Sequence, residues 1–134
     1  MSERQEYLDL EDLLALARRL LGDPPPVRDI GLLASAVARP QASAFGQGAY
    51  PDIWTKAAAL LQSIVSNHAL VDGNKRLGWL ATAVFLHLNG APVERARNDD
   101  IYDLVIRVAS GETNIVTIAA HLRQIIEQPQ SPAG

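Results

Sequence analysis

The chain has 134 residues, a formal net charge of −3 and a pI near 5.5, so it fits one domain and lacks the basic surplus of a nucleic-acid binder. A domain of this length buries roughly two thirds of its unfolded surface. Hydrophobic residues make up 48% of the chain but aromatic ones only 5%, so the core must come from Leu, Ala, Val and Ile, which favours packed helices. With no cysteine there are no disulfides, thiolate metal sites or cysteine nucleophiles, and a cytoplasmic location is expected. The opening residues Met1–Glu6 carry no basic region feeding an apolar stretch, and no window is long and apolar enough to span a bilayer. The expectation is therefore no membrane and no nucleic acid among the partners.

In chain order, Asp9 precedes a one-sided stripe of Leu10, Leu13, Leu14, Ala17, Leu20 and Leu21, with acids early and Arg18 and Arg19 late. This predicts a first helix, stopped by Gly22 and the run Pro24–Pro26. Asp29 caps a second over residues 29–38, which ends before Pro40. From Arg39 to Pro51 the composition shifts to Pro, Ser, Gly and Gln around Phe45 and Tyr50, as in a loop or glycine-tipped hairpin. Asp52 opens a third helix, whose apolar positions run from Ile53 to Val65 and deliver His68 at its C-terminal end.

After an Asp72-Gly73 turn, Leu77, Leu80, Ala81, Val84, Phe85 and Leu88 mark a fourth helix, apolar on nearly every side and therefore central. Asn98 is expected to cap a fifth helix through Val108, and Thr113 or Asn114 to start a sixth through Ile126. These elements predict an all-α fold, a compact six-helix bundle with a short flap between helices 2 and 3. A single domain over residues 1–128 is followed by a flexible tail at 129–134.

The chemistry concentrates in His68-Ala69-Leu70-Val71-Asp72-Gly73-Asn74-Lys75-Arg76. A helix end, a tight loop and a helix start together make an anion site. The first N–H groups of a helix lack internal partners and sit at the positive end of its dipole, so residues 74–76 can donate to phosphate oxygens. Lys75 and Arg76 add positive charge. Gly73 allows a sharp turn and close approach of a phosphate to the backbone. Asp72 beside that site is unfavourable unless a cation such as Mg²⁺ bridges it to the phosphates. His68 can accept a proton near neutral pH, as a general base for a hydroxyl should, and Leu70 anchors the loop in the core.

This segment resembles the signature of the Fic/Doc family, His-x-Phe-x-(Asp/Glu)-(Gly/Ala)-Asn-(Gly/Lys)-Arg, at six positions: His68, Asp72, Gly73, Asn74, Lys75 and Arg76. The resemblance extends over about residues 8–126. The usual Phe is Leu70, and the Pro that often follows the His is Ala69. Members that transfer AMP carry Gly where this chain has Lys75, and a second Arg where it has Trp79, so the chain is similar to the Doc branch. That likeness implies a toxin of a toxin–antitoxin module, a phosphotransferase moving the terminal phosphoryl group of ATP to a Ser or Thr hydroxyl of a translation factor, elongation factor Tu. It implies His68, Asp72 and Asn74 as catalytic residues, Gly73, Asn74, Lys75 and Arg76 as nucleotide ligands, and Asp72 as the Mg²⁺ ligand. It also implies a flap over Arg39–Tyr50 that aligns the target as an added strand, and a Phd-like antitoxin that folds into a groove. AMP transfer and a degenerate antitoxin-binding module are the alternatives. Some members carry their own inhibitory helix. Ser2 to Glu6 nearly fits its pattern, but Tyr7 breaks it, so a frayed N-terminus and inhibition by a separate chain are expected.

Away from this segment, His87 and His121 lack metal-ligand partners at useful spacing and read as structural. Trp54 and Trp79 read as core or pocket-wall residues. The cluster Arg95, Arg97, Asp99 and Asp100 reads as the exposed start of a helix.

Overall fold

The computed structural model describes residues 4–127; the expected tail at 129–134 and Ser2 lie outside the described residues. Six α-helices follow one another, α1 (Leu10–Leu21), α2 (Ile30–Ala38), α3 (Ile53–Asn67), α4 (Asn74–Leu88), α5 (Asn98–Ala109) and α6 (Ile115–Glu127), and the fold is all-α as expected. A single 3-10 turn over Arg39–Gln41 and a two-stranded hairpin, β1 (Ser43–Ala44) and β2 (Gln47–Gly48), separate α2 from α3.

The helix starts follow local chemistry. Asp9 accepts from the Asp12 N–H at 2.8 Å while Asp12 accepts from the Asp9 N–H at 3.0 Å, a reciprocal cap that satisfies two orphan donors. Asp29 caps α2 through the Leu32 N–H, Asp52 caps α3 through the Thr55 N–H, and Asn114 caps α6 through the Thr117 N–H. The start of α5 departs from expectation. Asn98 is its first helical residue and Arg97 stands at the cap without a side-chain bond, while Asp99 and Asp100 supply the negative charge that complements the helix dipole.

Helix α3 lies at the centre, in contact with α2, α4, α5, α6 and the 3-10 turn, and ten of its fifteen residues are buried. Helix α4 packs tightly on it because Gly78 has no side chain: a Cβ there would come within 2.7 Å of Val65 Cγ2. The core is aliphatic, with Phe85 among its largest fully buried side chains, as the composition required.

The N-terminal segment is docked from Glu6, not frayed. Asn89, at the end of α4, accepts from the Glu6 N–H and donates to the Glu6 carbonyl, both at 2.9 Å, and Leu8 is buried. One side-chain amide thus pairs with the backbone as a neighbouring strand would. Residues 4–9 form no helix, so the described part of the near-match to the inhibitory pattern is not helical. Among the described residues, no helix is long and apolar enough to cross a membrane.

Candidate active site

Helix α3 ends in a left-handed residue. His68 has φ 55° and ψ 42°, a conformation uncommon for non-glycine residues though less so for histidine. It persists because a second segment pins the chain at His68 and over the three residues that follow. The Arg28 and Asp29 N–H groups both donate to the Ala69 carbonyl, at 2.8 and 3.0 Å, and the Val71 N–H donates to the Pro26 carbonyl at 2.8 Å. Val27 and Leu70 pair as an isolated antiparallel bridge, and the Arg28 guanidinium donates to the His68 carbonyl. Leu70 is 1% exposed, so the loop is anchored by this residue as anticipated.

The turn that follows is closed by Asn74. Its Oδ1 accepts from the Leu70 N–H and its Nδ2 donates to the Leu70 carbonyl, both at 3.0 Å. The side chain assigned to catalysis and phosphate binding is therefore engaged with the loop backbone, and its own N–H is what it presents at the head of α4. Gly73 precedes it with φ +92°, and a Cβ there would meet Leu21 of α1 at 2.7 Å. Two independent constraints thus require glycine: the left-handed backbone and the side chain beneath it.

No side chain caps α4, so its first N–H groups meet no capping acceptor. Asp72 Oδ1 accepts from the Gly73 N–H at 2.8 Å, one residue short of those groups. A cavity of about 490 Å³ opens there, lined by His68, Val71, Asp72, Gly73, Asn74, Lys75 and Arg76, with Val65 and Ala109 behind them. All six residues of the motif face one space. Lys75 and Arg76 also line a neighbouring cleft of about 470 Å³, walled mainly by apolar groups of α1, α4 and α5, among them Trp79, Ile101, Tyr102 and Val105.

Among the described residues, no cluster of three or more His, Asp or Glu side chains could enclose a metal. A dedicated protein cage is therefore absent from them. Magnesium commonly takes one or two carboxylates and completes its shell with phosphate oxygens and water, and Asp72 beside a bare helix N-terminus suits that donor set. The second histidine and the third stay apart from this site. His121 lies in α6 with its Nδ1 buried and without a hydrogen-bond partner among the described residues, and His87 faces Glu94 at 3.8 Å on the surface.

Sequence reading missed Arg28 and the Val27–Leu70 bridge beside it. The Pro24–Pro26 run signalled only a helix stop, and nothing in the pattern marks which distant backbone an extended segment will pair with. Leu21 beneath Gly73 and Ala109 at the back of the cavity are likewise contributed by tertiary packing.

Against this geometry, residues 7–86 match the model of the Fic/DOC family. The chain belongs to the Fic/Doc family. It is also 52% identical over 120 residues to Toxin Doc of Mycolicibacterium smegmatis, an alignment covering 87% of this chain and 91% of that protein. The family match spans α3, the motif loop, most of α4 and the segment 25–29 that holds the loop. The two-stranded hairpin between α2 and α3 lies where a short flap was expected.

Proposed function

We propose that the chain is the toxin of a toxin–antitoxin module and transfers the terminal phosphoryl group of ATP to a hydroxyl of a translation factor, with elongation factor Tu as the first target to test. The single observation that carries this reading is the uncapped start of α4, which shares one cavity with His68, Asp72, Lys75 and Arg76. The likeness to Toxin Doc supports the toxin role and a cognate, Phd-like antitoxin.

In this reading the backbone N–H groups of residues 74–76 bind phosphate oxygens, and Lys75 and Arg76 supply the charge that keeps four negative phosphate charges together. The apolar cleft that shares those two cations suits a nucleobase beside Trp79. Asp72 holds Mg²⁺, which when bound neutralises charge on the phosphates. His68 removes the proton as the target oxygen forms its bond to the terminal phosphorus. The bond from that phosphorus to the bridging oxygen breaks, and ADP leaves with the electron pair. Asn74 acts by fixing the loop that sets His68 and Asp72 relative to α4.

The test is to incubate the chain with elongation factor Tu, Mg²⁺ and ATP labelled at the γ or the α phosphorus, then weigh the product. Phosphoryl transfer adds about 80 Da and AMP transfer about 329 Da, according to which phosphorus is attacked. Trp79 favours the former, because it places an indole where an AMP-transferring relative has a second arginine. His68→Ala should lower the rate by about 10²–10⁴-fold, the usual weight of a general base. Equal labelling by that variant removes His68 from the mechanism.

A further inference from the structure

The hairpin has almost nothing of its own to hold it in place. Residues 41–49 are all exposed, and each strand is two residues long. An isolated hairpin of that size is not stable in water. What ties it to the body, beside the buried Pro40 of the entering stem, is a pair of cations. Arg39, at the entering stem, donates from Nε to the hydroxyl of Tyr50 on the leaving stem at 2.8 Å. Its Nη1 donates to Ser63 Oγ at 2.8 Å and to the Ala59 carbonyl at 3.4 Å, both on α3, and to Gln62 Oε1. The guanidinium carbon also lies 5.7 Å from the Tyr50 ring centroid. A second cation, Lys56, only 8% exposed, donates to the Tyr50 carbonyl.

Among the described residues neither cation has an acidic partner. The ion pairs among the described residues are His87 with Glu94 and Arg123 with Glu127. A half-buried guanidinium matched only by neutral acceptors gains little net stability, because desolvation offsets much of what the hydrogen bonds return. Its distinguishing property is geometric. The planar fork reaches both hairpin stems and one helix at once, which a lysine cannot do.

From this geometry we infer that Arg39 is a positioning residue that fixes the hairpin to α3, and so sets the register in which an extended target segment is presented to His68. Ser63 lies five residues before His68, about 7.5 Å along the helix at 1.5 Å per residue, so hairpin and base are referred to the same rigid element. A strand added to a short exposed edge gains affinity from backbone hydrogen bonds only if that edge is already oriented. The inference rests on reading this hairpin as a flap that aligns the target as an added strand, and on the transfer to a protein hydroxyl proposed above.

Three full-length variants test it, Arg39→Gln, Arg39→Lys and Tyr50→Phe, with two readouts. The first is cleavage by chymotrypsin after Phe45, at the hairpin tip, which needs no activity. The second is KM for elongation factor Tu against the ATP dissociation constant. Arg39→Gln is expected to speed cleavage about tenfold and raise KM by about the same factor, with ATP affinity unchanged within about twofold. Arg39→Lys should restore less than half of either effect, and Tyr50→Phe should show a smaller change in the same direction. Tyr50→Phe removes one acceptor without emptying the site, so it decides the matter if Arg39→Gln fails to fold. Unchanged cleavage in both Arg39→Gln and Tyr50→Phe overturns the pin, and faster cleavage with unchanged KM overturns its role in target presentation. If the parent chain labels no protein, the transfer reading fails, while the cleavage rates still report on Arg39.

Discussion

Individual residues in this chain repeatedly serve a geometry that their type alone does not announce. Asn74 matches the motif, yet its side chain closes the loop on Leu70, a role visible only once both partners' positions are known. Gly73 was legible as a turn residue, but the Leu21 side chain beneath it was not. His121 shows the same limit. It reads as an ordinary helix histidine, and the fold buries its Nδ1 with no partner among the described residues. Burial pushes its pKa below the usual 6.5, Arg107 acts in the same direction, and Asp100 and Asp103 oppose them. The fold therefore prefers the neutral imidazole. Its contribution to stability is present above the unfolded value near 6.5 and is lost as pH falls toward the lower folded value. Melting temperatures at pH 7.5 and pH 5 should differ more for the parent chain than for His121→Gln. An equal difference in the two proteins would mean that this imidazole is not linked to folding.

At the scale of elements, helices were the most readable part, because apolar spacing and caps act over a few neighbouring residues. Asp9, Asp29, Asp52 and Asn114 each cap the helix the sequence led one to expect. The hairpin was readable only as a choice between loop and hairpin, since its four strand residues carry no apolar alternation. Its turn residues Phe45 and Gly46 have φ of 54° and 78°, the pair of positive angles that Asn-Gly adopts most readily. Phenylalanine is a poor occupant of that first position, and here it is fully exposed. A left-handed conformation costs an ordinary residue about 1–2 kcal/mol, and asparagine avoids part of that. Phe45→Asn should therefore stabilise the hairpin by about 1 kcal/mol, which corresponds to about fivefold slower local opening. The readout is hydrogen exchange at the Ala49 N–H, which is bonded to the Ala42 carbonyl across the hairpin base at 2.8 Å. Exchange no slower than in the parent chain would show that turn strain does not govern this element.

For the whole molecule, what the sequence could not supply is the arrangement that brings distant segments to one cavity. Residues 25–29 and Leu21 hold the motif loop and Ala109 lines its cavity only because α1, α4 and α5 are all assembled around α3 or its partner. Helix α3 carries His68 at its end, receives Arg39 on its flank and packs against four other helices. A perturbation at its centre should consequently be felt as loss of the fold, not as a local defect of the site. Leu61 is fully buried there, within van der Waals reach of the Gly78 position on α4. Leu61→Ala removes the side chain and leaves a cavity, which typically costs about 2–5 kcal/mol out of a total stability of about 5–15 kcal/mol. Helical circular dichroism and the proposed ATP binding should then be lost together, in one denaturant transition with a lowered midpoint and an unchanged slope. Two separated transitions, one for the site and one for the helices, would show that α3 does not unite them and that the cavity forms within a smaller, independent unit.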